Sequence, residues 1–311
     1  MAPTVPTDVE RLQRYYDTSS KYFLAPVPAP LDRAVAIAFV NGNVSRTTSP
    51  EKMRKLMRLA VFYDLRETAP AFIGALTGAE QDPADFLRSG LALIALAWIG
   101  DQSQQSRAQE YYRVLQSRAN VDLHRDIMLE VVEAFGPREG TGAHRQWIQA
   151  AIRSLEERRR QEQANRNVQG ANLAEEKIKA LSEYLNIQLA RVDRAFALRQ
   201  MIESLAPAGQ IAQLVPLSLA TTPESTPQLA FWASMRLIRL AQTAREQIAA
   251  AFSAHAAELV RPGQELFRAR ALRAAEFFGH PVAAPDSAWL GGHPDTGADP
   301  LVLRRGLIAP V

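Results

Sequence analysis

The apolar positions in the first half of the chain repeat one helical pattern three times. The repeated positions are Leu56, Leu59 and Phe62, then Leu93, Leu96 and Ile99, then Leu129, Val132 and Phe135. The offsets are about 37 and about 36 residues, a period typical of stacked helix pairs in an α-solenoid. Because neither helix of a pair can bury its apolar side alone, we expect adjacent pairs to stack.

A second helix follows each first helix after a polar turn. These second helices are predicted over 68–76, 106–115 and 141–152, the last continuing as a charged rod to about residue 165. They are predicted to bury three pairs of residues four positions apart, namely Phe72 with Leu76, Tyr111 with Leu115 and Trp147 with Ala151.

Capping signals place two helices ahead of the repeats. Thr7 and Glu10 form a capping-box pair, which predicts a first helix to about residue 23. A short helix over 31–40 is predicted to close at the Asn41-Gly42 turn. Ser49, followed by a proline and a glutamate, then starts the first repeat helix.

Two long helices are predicted in the second half, after a break over 167–172. They cover 173–205 and 226–259, and each would span roughly 50 Å at 1.5 Å per residue. The second carries a heptad seam of Ile238, Ala241, Arg245, Ile248, Phe252, His255 and Leu259. We expect the two helices to pair antiparallel, with a shorter segment over 211–219 interrupted at Pro216 between them. A final helix over 262–278 closes on Gly279.

The last part of the sequence changes character. Residues 280–300 are rich in glycine, proline, alanine and aspartate, which predicts an unfolded linker. An apolar cluster with two arginines follows, and we expect it to bind a protein partner through Leu301, Val302, Leu303, Arg304, Arg305, Leu307 and Ile308. A short apolar segment on a flexible tether docks efficiently because the tether raises its effective concentration.

The predicted fold class is therefore all-α, with short solenoid-like repeats followed by long antiparallel helices and a disordered tail. The predicted regions are N-terminal helices over 1–48, a repeat region over 49–165, a long-helix hairpin or bundle over 171–279 and a tail over 280–311.

The repeat region resembles two known repeat families. Residues 50–152 resemble HEAT-type helical repeats, and 96–115 also looks like a tetratricopeptide unit, with Gly100 and Asp101 at its turn and Ala108 and Tyr111 in its second helix. This resemblance implies binding of a protein partner on a curved helical surface. The apolar ending is similar to the peptides that load cargo into bacterial protein shells, which also follow a flexible linker.

Composition excludes several classes of site. The 311 residues include no cysteine, which removes disulfides, thiolate zinc sites and cysteine nucleophiles. Net charge is +3 from 36 basic and 33 acidic residues, a small excess that argues against a nucleic-acid-binding face. The start lacks the features of a secretory signal, and no apolar run approaches the roughly 20 residues of a membrane span. We therefore expect a cytoplasmic protein without a membrane span.

Candidate catalytic chemistry is sparse. His124-Arg125-Asp126 matches a kinase catalytic-loop triplet, but the other kinase motifs are missing, so the match is attributed to chance. The five histidines show no paired spacing on one helix face, so neither a metal site nor a cofactor is predicted. His255 is interpreted as a polar residue that sets the register of the heptad seam.

Two interpretations compete with protein binding. Arg153, Arg158, Arg159, Arg160 and Arg166 form the densest basic cluster, which would contact phosphates if the protein bound nucleic acid. Some helical-repeat proteins are DNA glycosylases, and a site of that kind would use Trp98, Asp101 and Trp147. The interleaved acids favour an exposed, balanced helix instead. The sequence thus predicts a non-enzymatic scaffold or adaptor that docks onto a protein assembly, with self-association through the heptad seam left open.

Overall fold

Every regular element in the described part of the chain is a helix, so the all-α prediction is confirmed. The computed structural model describes residues 6–18, 27–28, 31–76, 78, 82–281 and 283–291. Its helices are α1 (Asp8–Asp17), α2 (Arg33–Asn43), α3 (Pro50–Phe62), α4 (Ala69–Ala75), α5 (Pro83–Ile99), α6 (Gln102–Arg118), α7 (Val121–Phe135), α8 (Gly142–Ala164), α9 (Val168–Tyr184), α10 (Ala190–Glu203), α11 (Pro207–Ser218), α12 (Pro227–Glu258), α13 (Glu265–Phe277) and α14 (Ala284–Gly291). No helix in these ranges is both long and apolar enough to cross a bilayer.

By packing, the chain divides into two units. One unit is Val40–Arg199, and the other combines the described residues of 1–39 and 200–311. The boundaries of these units differ from the predicted boundaries, which lie near 48, 170 and 279. In addition, the first helices of the chain belong to the same unit as the last ones.

The first helices of the three predicted repeats form the core of the unit Val40–Arg199. Helix α5 packs along both α3 and α7. Of the nine repeated apolar positions, eight are buried and Phe135 is half-buried. The ring of Phe86 in α5 stacks on that of His124 in α7, with 4.2 Å between centroids. Four residues later, a Cβ added at Gly90 would lie 2.4 Å from Cγ1 of Ile127. Both contacts advance together along the two helices, so α5 and α7 run in the same direction.

The second helices lie near their predicted positions, but two of them bury different residues. In α6, Leu115 is buried as expected, whereas Tyr111 is half-buried and its neighbour Tyr112 is buried instead. In α8, Trp147 is half-buried and Ile148 is buried. One residue along a helix turns the side chain by about 100°, so a shift of one position is enough to exchange the two faces.

Helix ends follow local hydrogen bonding more than residue type. Helix α1 begins with the predicted capping box at Thr7, and it ends at Asp17; residue 23 lies outside the described residues. Four helices end in a Schellman motif, in which the amide two residues past the last helical turn bonds back five residues. The left-handed residue of that motif is Gly279, as predicted, after α13, but Asp64, Arg166 and Ala220 in the other three.

Several predicted turns are in different places. The Asn41-Gly42 pair lies inside α2, which continues to Asn43. The break predicted over 167–172 falls at 165–167, where Asn167 caps α9 by accepting from the amide of Gly170. Pro207, expected to end a helix, is the first residue of α11. The backbone amide at that position makes no hydrogen bond within the helix, so proline can occupy it without loss. Helix α11 also contains Pro216 in its last turn.

The first long helix is present but interrupted in its hydrogen bonding. Helix α9 continues through a π-helical turn, Leu185–Leu189, directly into α10. The main packing partner of α9 is α8, and those of α12 are α11 and α13. The predicted pairing of the two long helices with each other is therefore not confirmed.

Helix α12 bends sharply at Ala244, whose φ of −136° and ψ of 31° are not helical. A straight α12 would place Thr226 and His255 about 43 Å apart. His255 Nε2 nevertheless lies 3.1 Å from Oγ1 of Thr221, only five residues before Thr226, and five residues span at most about 18 Å. The helix must fold back on itself, which corrects the predicted rod of roughly 50 Å.

The heptad seam of α12 is partly buried. Ile248, Phe252 and Leu259 lie in the core, whereas Arg245 donates from Nε and Nη2 to the carbonyls of Phe278 and Phe277 at 3.1 and 3.2 Å. Arg245 therefore caps the end of α13, where a cation also meets the negative end of the helix dipole.

Part of the predicted linker is helical. Helix α14 occupies 284–291, within the stretch expected to be unfolded. Arg268 of α13 holds it, since its Nη2 lies 2.7 Å from Oδ1 of Asp286 and its guanidinium carbon lies 4.8 Å from the ring centroid of Trp289. The amino-acid composition of 280–300 does not predict this helix, because the helix docks on Arg268, which lies outside that stretch.

Candidate functional site

Of the two sets of residues predicted to bind partners, the structure describes only one. Leu301, Val302, Leu303, Arg304, Arg305, Leu307 and Ile308 lie outside the described residues, so that segment stays a prediction. The five arginines predicted as an alternative nucleic-acid contact lie on α8 and the turn after it. Arg153, Arg158, Arg160 and Arg166 are exposed, and Arg159 is half-buried.

Acidic neighbours partly neutralise this basic cluster. Arg158 Nε lies 3.7 Å from Oε1 of Glu162, and Arg159 forms an ion pair with Glu175 of α9. The cluster therefore does not present five uncompensated charges on one face, which agrees with the balanced helix expected from its interleaved acids.

Asp101, the candidate aspartate of a glycosylase-like site, caps a helix. Its Oδ1 accepts from the amide of Gln104 at 2.8 Å, and Gln104 Oε1 accepts from the amide of Asp101 at 2.9 Å. This capping box occupies the carboxylate. Trp98 and Trp147 are half-buried.

His124, the first residue of the kinase-like triplet, lies in the core. It is buried against the Phe86 ring, and its Nδ1 accepts from the amide of Asn120 at 3.0 Å. Burial lowers the pKa of this imidazole. No group of three or more histidine, aspartate or glutamate residues that could share a metal ion occurs within the described ranges.

The densest buried chemistry is a chain of polar side chains across α6, α8 and α9. His144 of α8 is 0% exposed and lies between two tyrosines. Its Nδ1 is 3.5 Å from the hydroxyl of Tyr112, and its Nε2 is 3.5 Å from the hydroxyl of Tyr184. Gln116 Nε2 donates to the Tyr112 oxygen at 2.7 Å, and the Tyr184 hydroxyl donates to the carbonyl of Arg125 at 3.0 Å.

These contacts fit one assignment of protons. The Tyr184 hydrogen is committed to the Arg125 carbonyl, so its oxygen receives the Nε2 hydrogen of His144. Nδ1 of His144 then accepts from Tyr112, whose oxygen is the acceptor for Gln116. Every group in this polar relay is satisfied when the imidazole is neutral, with its hydrogen on Nε2.

Burial sets the electrostatics of the polar relay. It lowers the pKa of His144 from its usual 6.5 to about 4. It also raises the pKa of both tyrosines, and nearby carboxylates act in the same direction, Glu139 on Tyr112 and Asp126 on Tyr184. All three groups are therefore neutral at pH 7, which is the charge state the hydrogen bonds require.

An ionic cluster lies next to the polar relay, on α7 and α10. The carboxylate of Glu133 is mostly buried, and burial raises its pKa even though Nη2 of Arg191 lies 3.3 Å from Oε1. Arg199 donates to the carbonyl of Glu133 at 3.3 Å. Further along, Asp193 accepts from Arg145 at 2.5 Å and from the hydroxyl of Thr141. The π-helical turn Leu185–Leu189 separates Tyr184 from these α10 residues.

The polar relay and the ionic cluster together position helices. They tie α9 and α10 to α6, α7 and α8 through directional contacts, which specify one packing of elements whose apolar surfaces alone would tolerate several. One member could be found from the sequence, because His144 lies four residues before Ile148 and therefore on the same side of α8. The tyrosines could not be found in this way, because each comes from a different helix and the predicted buried side of α6 contains Tyr111 and not Tyr112.

Helices α8 and α9 form an antiparallel hairpin. His144 and Arg159 of α8 contact Tyr184 and Glu175 of α9, so positions rise along one helix as they fall along the other. Thr141, just before α8, contacts Asp193 of α10 in the same sense. After Ile148, α8 has no buried side chain, whereas α9 buries Ala171 and Ala174 against it. The outer sides of both helices are left to solvent.

Comparison with known proteins adds no relative. The chain matches no protein-family model, no curated protein and no solved structure.

Proposed function

We propose that this chain is a non-enzymatic scaffold or adaptor that binds protein. In this proposal it docks onto a larger protein assembly through its helical surfaces and through the segment 301–308. The observation that carries the proposal is the layered packing of α3, α5 and α7, with α5 and α7 running in one direction. In this proposal the layers act as stacked repeats, which create long surfaces without a fixed chemical site.

The distribution of polar groups also supports this function. The side chains with strongly shifted pKa values are buried and hydrogen-bonded to one another or to the backbone; they are His144, Tyr112 and Tyr184. They serve helix packing, as described above. The outer sides of the α8–α9 hairpin carry charged and apolar side chains together, a mixture suited to recognition of another protein.

Affinity purification from the native cell tests this function. The full chain and a chain ending before residue 301 are tagged and compared, with partners identified by mass spectrometry and complex size measured directly. We expect at least one protein to be recovered with the full chain and lost, or much reduced, on truncation. Recovery of the same partners at the same level by both chains would reject the role of 301–308.

A second candidate, binding of DNA or RNA, rests on the exposed arginines of α8. Arg153, Arg160 and Arg166 are exposed, and no ion pair to a described residue involves them. Phosphate binding would weaken steeply as salt rises. A fluorescence-anisotropy titration with a labelled oligonucleotide tests this at low salt. Absence of binding there removes the candidate, and the scaffold proposal predicts that absence.

A further inference from the structure

Two rows of exposed side chains lie on the α8–α9 hairpin with the same spacing. The α9 row consists of Leu173, Glu176, Ala180 and Glu183 of α9 and of Ile187 in the π-helical turn that follows it, at successive steps of three, four, three and four. All five are exposed, and the two large apolar members are 52% and 53% exposed. Such steps place the row on one side of a helix, as in the seam of a coiled coil.

The α8 row consists of Ala150, Arg153, Glu157, Arg160 and Ala164, and it follows the same four steps. All five residues are exposed. The half-buried residues Ile152, Leu155 and Arg159 lie between them on the side of α8 that faces α9. The α8 row and the α9 row therefore face away from each other, on opposite sides of the hairpin.

The two rows are complementary position by position. Alanines at the ends of the α8 row match the leucine and isoleucine at the ends of the α9 row, which combines small with large side chains. The two arginines match the two glutamates, and Glu157 matches Ala180. The two rows share the same steps in the same chain direction, so the position-by-position match holds for parallel packing of the two helices. None of these charged residues has an ion pair with another residue in the described ranges.

We propose that the α8 row of one copy of this chain packs against the α9 row of a neighbouring copy. The rows lie on opposite sides of the hairpin and cannot meet within one copy, so a second copy is the occupant that the spacing and the charges select. The contact would cover about 14 residues, or roughly 21 Å of helix. It uses a different patch on each copy, so association runs head to tail and gives either a ring or an open chain. This self-association needs no other protein and can fail without affecting the proposed function.

The interaction must be weak and sensitive to salt. Its apolar core is limited to two large side chains, and its ion pairs are exposed, so each pair changes affinity by only a few-fold. Reversing the charge of one row turns two attractions into two repulsions. We therefore expect such a reversal to weaken association by roughly fivefold or more, and high salt to weaken it as well.

Sedimentation velocity of charge-reversed chains tests the proposal. The wild-type chain is expected to gain average mass as its concentration rises from micromolar towards millimolar at low salt. The variants Glu176→Arg/Glu183→Arg and Arg153→Glu/Arg160→Glu each carry rows of like charge, so each should associate at least about fivefold more weakly than the wild type. In an equal mixture, each contact between a copy of one variant and a copy of the other joins opposite charges, so the average mass should again rise with concentration.

A matched control keeps the result specific. The variant Glu203→Arg/Glu246→Arg changes the net charge as Glu176→Arg/Glu183→Arg does, but at two exposed glutamates outside both rows, and it should associate like the wild type. Far-ultraviolet circular dichroism checks that every variant is folded. Three results would each overturn the proposal: a wild-type chain that stays monomeric throughout, reversals that leave association unchanged, or a mixture that does not regain mass.

Discussion

The buried imidazole of His144 should make the fold lose stability in mild acid. In the unfolded chain this histidine takes up a proton near pH 6.5, whereas in the folded chain burial holds its pKa at about 4. Between these values the unfolded chain binds one proton more than the folded chain. Stability is therefore complete above pH 6.5 and falls as the pH drops towards 4.

The size of the loss follows from the pKa difference. A shift from 6.5 to about 4 corresponds to about 3 kcal/mol, at roughly 1.4 kcal/mol per pKa unit, and about 2 kcal/mol of this is lost between pH 7 and pH 4.5. His144→Gln removes the titrating group but keeps one donor and one acceptor for the two tyrosines. This variant should be about 1–3 kcal/mol less stable at pH 7, because the shorter side chain satisfies the polar relay less well.

Urea unfolding of both chains across this pH range measures the effect. Other ionisable groups contribute equally to the two chains, so the difference in unfolding free energy isolates His144. The wild type should lose its advantage over His144→Gln as the pH falls from 7 to 4.5. A difference that stays constant over that range would refute the reasoning. The second buried histidine with a lowered pKa, His124, gives a parallel test through His124→Gln.

Three further predictions concern packing. Gly90→Ala should destabilise the fold by about 1–3 kcal/mol, because its Cβ would collide with Ile127. Gly74→Ala, in open space within a helix, should instead stabilise the fold by about 0.5–1 kcal/mol. Thermal unfolding in which Gly90→Ala is the more stable of the two variants would contradict the α5–α7 contact. Glu133→Gln should raise the melting temperature at pH 7, since burial disfavours the carboxylate, and a lower value would show that its ion pair matters more. Arg245→Gln should lower stability by about 1–3 kcal/mol in denaturant unfolding by uncapping α13, and an unchanged midpoint would dismiss that role.

Helix starts were predictable because one or two residues decide them. Thr7, Ser49 and Thr226 each accept a backbone hydrogen bond as the N-cap, and this chemistry is visible in the sequence. Helix ends were harder, since Asp64 and Ala220 adopt left-handed backbone where glycine would be the usual signal. The amides of Leu65 and Thr221 bond back to the carbonyls of Ala60 and Pro216 and close these ends, but no residue type in the sequence marks that turn.

Features that join distant segments could not be predicted. Ala244 bends α12 although alanine is the best helix former, so residue type gives no signal of the bend. The polar relay brings together Tyr112, His144 and Tyr184 from three helices, and no local pattern links them. The apolar repeat, by contrast, predicted the buried side of α3, α5 and most of α7, because burial on one side of a helix follows directly from the spacing of side chains.

The direction of the stacked helices is the most direct test of the layered arrangement. The chain has no cysteine, so spin labels attach only at introduced cysteines. Ala84 and Leu123 are exposed in the first turns of α5 and α7, and Arg138 is exposed just past the end of α7. Pulsed electron spin resonance should give a distance for the 84–123 pair that is shorter than that for the 84–138 pair by about 10 Å, because α7 is roughly 22 Å long and its start lies beside the start of α5. A shorter distance for the 84–138 pair would contradict parallel stacking, and with it the layer on which the proposed scaffold function depends.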